Sequence, residues 1–426
     1  MIIMQTKEIE WCTRVESHIF KNNKVLDDLC FRSKNVYNSG LYLFRQELIN
    51  NQKWLGSYEI YKELNKVQND ALKELPSQVA QQTLHVLERN IKSYVRSIKD
   101  WKKNPGKYKG MPKLPKYLDS KTGRFVFINP GQTVIRKNSK LTLAKKSYEF
   151  TTNLNEGTKI NQVRIVPRLG YNKIEVVYQK QKNINTDLQP TKYIGIDIGL
   201  NNLMAITTLD TNSTNTLNED SKQTSDISYL VKGGRVKSVN QFYNKTKARL
   251  QSELKTKNNL YWSKRLSILT LKRNQKIEDY FHKASKTVID MCLERQIGNI
   301  IIGHNKGQKQ NINLGKKNNQ NITCVPNLKL IHMIQYKAEE AGIKVILTEE
   351  SYTSITDHLA SEPMKKQENY LGTRIRRGLF QSSTGRLINA DINGTIGILR
   401  KVVGDGFLGS LFNRGDMFSP IQMKFE

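Results

Sequence analysis

The sequence predicts an α+β chain of more than one domain, and three observations carry that reading. Strand-like runs flank a helical stretch in the first half, whereas strands alternate with helices in the second. The pattern changes after Gln189-Pro190. At 426 residues the chain is also longer than one hydrophobic core usually serves. Residues 1–190 are expected to form a β-barrel-like module with a helical lobe inserted at about 30–105. Residues 191–426 are expected to form an α/β domain with a mixed sheet.

Each element has a local reason. Residues 7–20 mix β-branched and aromatic residues in loose alternation and read as a strand. Tyr37, Leu41, Phe44 and Leu48 then make an apolar stripe at helical spacing. A second helix follows Leu75-Pro76-Ser77, with Ser77 as its expected cap and Val79, Leu84, Leu87, Ile91, Tyr94 and Ile98 on its apolar face. From Trp101 to Tyr117, Lys102, Lys103, Lys107 and Lys109 stand beside Trp101, Tyr108 and Tyr117, with proline and glycine opposing a long helix. Cations for phosphates beside flat rings for bases suit a nucleic-acid contact, and a solvated basic linker explains the same pattern. Arg124–Ile128, Val163–Val166 and Lys173–Tyr178 return to strand.

In the second part, Tyr193–Asp197 and Leu203–Thr208 read as paired strands, followed by a polar low-complexity stretch at Asp210–Asp226. Residues 241–295 form a basic helical region containing Lys245, Arg249, Lys272 and Arg273. Asn299–Ile302 is a buried strand, 326–341 a helix and Ile343–Thr348 another strand. Functional residues of such sheets collect at strand C-termini.

Lys plus Arg number 69 against 38 acids, a net charge of +31 that points to a polyanion, nucleic acid before membrane. No segment approaches the ~20 apolar residues of a membrane span, and the start has no signal-peptide core. The expected location is cytoplasmic, associated with the nucleoid. Cys12, Cys30, Cys292 and Cys324 form no CxxC pair and read as reduced buried thiols.

Against that basic background, Asp197, Glu350 and Asp391 stand out. Asp197 ends an apolar run, Glu350 closes Val345–Glu350, and Asp391 opens an apolar helical pattern. Oxygen ligands of this kind suit Mg²⁺, with Mn²⁺ as the alternative. Each also has a plainer reading. Asp391 suits a helix N-cap, with Asn389 as a rival for that place; Asp197 before Gly199 suits a turn; Glu350 suits a surface.

Taken in order, these segments resemble the TnpB family, transposon-encoded RNA-guided nucleases related to type V CRISPR effectors and Fanzor proteins. Gly195-Ile-Asp197-Ile-Gly199 with Leu203-Met-Ala205 resembles the first RuvC motif. Asn389-Ala-Asp391-Ile-Asn393-Gly394 resembles the third, and Leu75–Gln82 with its helix resembles the recognition lobe. The resemblance implies an RNase H-like (RuvC) domain that cleaves DNA with two Mg²⁺ held by Asp197, Glu350 and Asp391. It also implies a guide RNA from the transposon end and a double-stranded DNA target with a short flanking motif.

The chain departs from the common family pattern twice. The usual place of the middle glutamate, after Ile300–Ile302, is Gly303; a subset carries it on the next strand, where Glu350 precedes Thr353-Ser354. Glu349 is its neighbour and the alternative ligand. In place of a zinc ribbon lies Asp357–Gly385, with Arg374, Arg376 and Arg377, so no zinc is expected and a nucleic-acid-binding insert is placed at about 355–387. Asn202, Asn305, Lys309 and Asn393 are expected to orient ligands or phosphate, and His282 is assigned no role. The rival functions are a nuclease-inactive guided repressor and a protein-only DNA-processing enzyme such as a resolvase or transposase.

Overall fold

Asn22 takes a left-handed turn (φ 50°), and the Asn23 side chain accepts from the Leu26 amide at 3.0 Å. Together they end strand β1 (Trp11–Lys21) and cap helix α1 (Lys24–Asn50). The computed structural model describes residues 10–143, 146–212, 226–305, 307, 309–310, 313–409 and 418–425. Most of the expected polar stretch at 210–226, and the first residues of the expected strand at 7–20, lie outside them. The chain divides into two units, Trp11–Lys180 with Trp262–Ile268, and Met1–Glu10 with Gln181–Tyr261 and Leu269–Glu426.

In the first of these units α1 packs with α2 (Ser57–Lys66), α3 (Asp70–Lys73) and α4 (Ser77–Lys103). Ser77 is the first helical residue and Pro76 holds the cap position, so the expected serine cap is displaced by one residue. Helix α4 runs through Trp101, Lys102 and Lys103 and stops before Pro105, so the basic segment begins as a helix end rather than a loop. The strands are β2 (Phe127–Pro130), β3 (Ile135–Lys137), β4 (Lys140–Leu143), β5 (Tyr148–Thr151), β6 (Ile160–Arg168) and β7 (Tyr171–Gln181).

Two sheets result, one in the order β1-β7-β6-β2 and one in the order β3-β4-β5. Among the described residues these pairings are an open sheet and a separate meander, and they do not close the expected barrel. Leu41, Phe44, Leu84 and Leu87 from the helices share one core with Val163, Ile165, Ile174 and Val176 from the strands. The helical insert and the strands therefore fold as one module.

The other unit is built on β8 (Gln189–Asp197), β9 (Asn202–Asp210) and β10 (Ser228–Lys232). Helix α5 (Gly234–Asn258) and helix α6 (Lys264–Glu294), of which Leu269 onward belongs to this unit, follow, then β11 (Ile297–Gly303), α7 (Lys316–Cys324), α8 (Asn327–Ala341) and β12 (Lys344–Thr348). A small antiparallel sheet, β13 (Thr373–Arg376), β14 (Leu379–Gln381) and β15 (Leu387–Asn389), precedes α9 (Ala390–Val403). The last strand is β16 (Ile421–Met423), and the main sheet runs β12-β11-β8-β9-β10-β16. Strands β8, β11 and β12 are parallel, while β9 is antiparallel to β8 and β10.

Period-two alternation assigns the two faces. Ile194, Ile196, Ile300 and Ile302 meet α6 and α8 through Phe281, Ala284, Leu330 and Ile334. Ile301 and Ala205 point the other way, toward Ile392, Ile396 and Leu399 of α9. Gly195 lies between Ile194 and Ile196 on the α9 side, where a Cβ would stand 2.7 Å from Leu399 Cγ and 3.1 Å from the Thr395 carbonyl. Replacing Gly195 with alanine should therefore force α9 off the sheet and cost about 1–3 kcal/mol, read as a lower urea midpoint. An unchanged midpoint would mean that the helix does not press on this strand.

Candidate active site

Three parallel strands end side by side, because Ile302 pairs with Ile196 and Gly303 pairs with Thr348. Asp197 is the last residue of β8, and Glu350 lies two residues beyond β12. Asp391 is the second residue of α9. The cap of that helix is Asn389, whose side chain accepts from the Asp391 amide at 2.9 Å. The Asp391 carboxylate is thus free of capping and accepts from Asn202 Nδ2 at 2.7 Å.

Glu350 is fixed from two directions. Its amide donates to Asn305 Oδ1 at 2.9 Å, and its carbonyl accepts from the Thr353 hydroxyl at 2.8 Å. Its side chain lies over Gly303, where an added Cβ would be 2.7 Å from Glu350 Cγ and 2.8 Å from Oε1. A residue larger than glycine at 303 and this placement of Glu350 exclude each other. Glu349 is 63% exposed and pairs with Lys401 at 3.3 Å. The two adjacent glutamates therefore have different surroundings, as alternation of an extended chain requires.

The charges are felt across the site. Asp197 keeps some solvent access, yet protein crowds it on most sides. That burial, with the charges of Glu350 and Asp391 added, pushes its carboxyl up to about 7, with Arg374 partly opposing. Burial also raises Glu350, and Lys401 opposes it. Gly394 faces Asp197, and a Cβ there would approach Oδ2 to 2.9 Å, so the absence of a side chain keeps the space beside that carboxylate open.

Among the described residues, no group of three or more His, Cys, Asp and Glu side chains is placed to hold a metal ion as it stands. The three carboxylates are electrostatic neighbours and not a closed cluster. Their chemistry nevertheless fits a hard divalent cation: oxygen donors only, an open space beside Asp197, and a mutual repulsion that a cation would relieve.

The predicted cationic positions differ in their freedom. Arg374, Arg376 and Arg377 are exposed on and beside β13, and Arg377 faces the Asn201 side-chain oxygen at 2.8–2.9 Å in the amide orientation that satisfies both. Lys309 is half-buried and donates to the Val325 carbonyl. Arg273 is also committed inward, to Asn240 Oδ1 at 2.6 and 2.8 Å. Arg249 pairs with Glu253 at 2.8 Å, while Lys245 and Lys272 are exposed. In the other unit, Lys107 and Tyr108 both donate to Asp100, at 2.7 and 2.6 Å, and hold its carboxyl down at about 2. Lys102, Lys103 and Lys109 project into solvent.

Sequence reasoning missed the network that carries the loop after Glu350. Asp357 is fully buried and accepts from the hydroxyls of Ser382 (2.8 Å) and Ser383 (2.9 Å). Glu362, 2% exposed, accepts from the amides of Asp357 and Leu371. Burial pushes the His358 imidazole down to about 4, so it is neutral, donating from Nε2 to the Thr353 carbonyl and accepting at Nδ1 from Arg400. Asn393 Nδ2 donates to the Thr356 carbonyl at 2.9 Å. The available signal was a run of polar residues with no apolar partner, which reads equally well as surface.

Residues 174–309 match the OrfB_IS605 family, described as a probable transposase, and residues 329–398 match the TNB domain of Cas12f1-like proteins. The first match contains Asp197 and the second contains Glu350 and Asp391. These two matches place residues 174–309 and 329–398 among TnpB/Cas12f-like RuvC proteins, related to type V CRISPR effectors. Its fold is similar to that in a Cas12f1–sgRNA–target DNA complex, at 13% identity and TM-score 0.51, covering 88% of this chain and 82% of that one. Further similarities are to the mini-RNA-guided endonuclease CRISPR-Cas_phi3 (9% identity, TM-score 0.46, 94% of each chain) and to Alicyclobacillus acidoterrestris C2c1 bound to single-guide RNA (9%, 0.37, 90% of this chain and 70% of that one). No curated protein sequence matches the chain. No helix among the described residues is long and apolar enough to cross a membrane.

The raised Asp197 carboxyl has a measurable consequence in chelator-treated protein. The folded chain holds this proton more tightly than the unfolded chain does. Its contribution to stability is therefore complete below the ordinary value of 3.8 and is lost as pH rises through about 7. The melting temperature should fall between about pH 5 and pH 8 by a few degrees more than in an Asp197→Asn variant. Parallel pH profiles would contradict the burial of this charge.

Proposed function

We propose that this protein is the RNA-guided DNA endonuclease of a transposon, cleaving phosphodiesters with two divalent ions held by Asp197, Glu350 and Asp391. The observation that carries the reading is the Glu350 side chain over Gly303, beside the ends of β8 and β11. Asp197 feels both Glu350 and Asp391, and each of those two has an asparagine partner, Asn305 and Asn202. A protein that only bound its target would need none of these groups in concert.

In this reading, divalent ions when bound supply an activated water and stabilise the departing 3′-oxygen. The chain's own residues position and neutralise. Asn202 donates to the Asp391 carboxylate, Asn305 accepts from the Glu350 amide and donates to its carboxylate at 3.5 Å, and Lys401 keeps Glu349 turned away. The forked guanidinium of Arg376, together with Arg374, is suited to a phosphate of the entering strand. Residues 191–426 form the nuclease domain, with the insert at about 355–387 as its nucleic-acid gate. Residues 1–190 form a wedge and recognition module that reads a short flanking motif, while Lys102, Lys103, Lys109, Lys245 and Lys272 lie free to contact backbone phosphates. Sequence readout falls to base pairing with the guide RNA, held by its A-form backbone.

The test separates neighbouring glutamates. In protein loaded with its guide RNA, Glu350→Gln should lower Mg²⁺-dependent cleavage by more than the roughly 100-fold that loss of an outer metal partner costs, with target binding intact. Glu349→Gln should cleave as the parent does. The reverse ranking would move the ligand to Glu349, and equal activity of both variants would remove the middle ligand altogether.

A further inference from the structure

The Trp11–Lys180 unit contains a cavity of ≈ 730 Å³ that the nuclease reading does not use. Its walls are the β6–β7 turn, the first turn of α1 and the loop before β2, with Lys264 from the short segment that joins this unit. Lys24, Lys121, Arg124, Arg168 and Lys264 line it against one carboxylate, Asp27. That carboxylate already accepts from Arg124 Nη2 at 2.7 Å. The amino-terminal end of α1, a helix of 27 residues, adds its positive pole.

A second observation is independent of this charge. On β7 the residues at 172, 174 and 176 face the core, and Ile174 and Val176 are fully buried there. Position 172 should be apolar by the same alternation, but it is Asn172, only 4% exposed and part of the cavity wall. Its Oδ1 has no hydrogen-bond partner among the described residues, nor has Arg124 Nε. A buried polar atom left unpaired costs about 1–3 kcal/mol, so an asparagine in an apolar slot calls for a partner.

The two orphaned atoms ask for different things. Arg124 Nε donates and is served by a phosphate. Asn172 Oδ1 accepts, and a phosphodiester has no proton to give it. One ligand that carries an anion and an N–H or O–H donor satisfies both, and the cavity is of the size that holds small ligands, ~300–1,000 Å³. We infer that this cavity binds a nucleotide, its phosphate at Arg124 and the surrounding lysines, its base or sugar donor at Asn172. Tyr171 lines the same wall and offers a ring for a base. The nucleotide belongs to an RNA or a DNA strand, which share this chemistry.

Titration of the nucleic-acid-free full chain tests this without reference to cleavage, so it stands or falls apart from the nuclease reading. The probes are the four nucleoside monophosphates in ribo and deoxy form, adenosine, and inorganic phosphate, followed by calorimetry or ³¹P line broadening. At least one monophosphate should bind tenfold or more tighter than adenosine and phosphate, and a preference between the sugars assigns the strand. Lys264→Glu should weaken nucleotide and phosphate alike, whereas Lys257→Glu, outside the cavity, should change neither.

Asn172→Leu should weaken the nucleotide severalfold and leave inorganic phosphate unchanged. That variant replaces an unpaired buried amide by an apolar group among apolar neighbours, so it should remain folded, and its melting curve checks this. Nucleotide and phosphate binding of equal strength, nucleotide binding insensitive to Asn172→Leu in folded protein, or no binding by any monophosphate would each overturn the assignment.

Discussion

Helix α9 can lie against the sheet and the loop after Glu350 only because positions 195, 394 and 397 carry no side chain. A Cβ at Gly195 would meet Leu399, one at Gly394 would meet the Asp197 carboxylate, and one at Gly397 would come within 2.7 Å of His358 Nε2. The close approach sets Asp391, on the first turn of α9, beside the strand that ends in Asp197. It acts against electrostatics, since burial and like charges drive the Asp197 carboxyl up to about 7. Packing of Ile392, Ile396 and Leu399 into the sheet supplies the opposing stabilisation. Mutually repelling acids are thereby kept near one another by apolar contacts behind them.

The same economy of space governs the middle carboxylate. Gly303 ends β11 without a side chain, and Glu350 reaches across from beyond β12 into the volume that a residue at 303 would need. Holding Glu350 there requires a rigid loop after it. Buried hydrogen bonds among Asp357, Glu362, His358, Arg400 and the serines at 382 and 383 tie that loop to α9 and to the small sheet of β13, β14 and β15. Asp357, His358, Glu362, Ser382 and Arg400 are nearly removed from water, so each unmade bond among them would be costly and the loop has few alternatives.

What was legible in the sequence divides along physical lines. Periodic apolar patterns located α1, α4, α8 and α9 and the strands β6 through β9, because core burial enforces period. Asp197 and Asp391 could be picked out from local context, an acid at a strand end and an acid at a helix start. Glu350 could be noticed as an acid closing an apolar run, but its choice over Glu349 rested on the resemblance; burial and the pairing of Glu349 with Lys401 separate the two in three dimensions. Cation counting describes the charge of the chain but not which cations already have partners within the fold. Lys107, Arg249, Arg273 and Lys309 turned out to be engaged by Asp100, Glu253, Asn240 and the Val325 backbone. The buried polar network of the insert was invisible because hydrophilic residues that satisfy one another look like surface in one dimension. Among the described residues, the pairing of the amino-terminal strands into an open sheet and a meander was equally beyond pattern, which gives strands but not their partners.

In the proposed reading, Asp197, Glu350 and Asp391 converge on a divalent cation despite coming from three separated segments. A structure of the protein with Mn²⁺, read by the metal's anomalous scattering, tests it most directly. Density is expected beside Asp197, with oxygens of Glu350 and Asp391 drawn to ligand distance, and is expected to be lost in Glu350→Gln. Manganese bound by Glu349 instead, or no ion at the ends of β8 and β11 at saturating concentration, would contradict it.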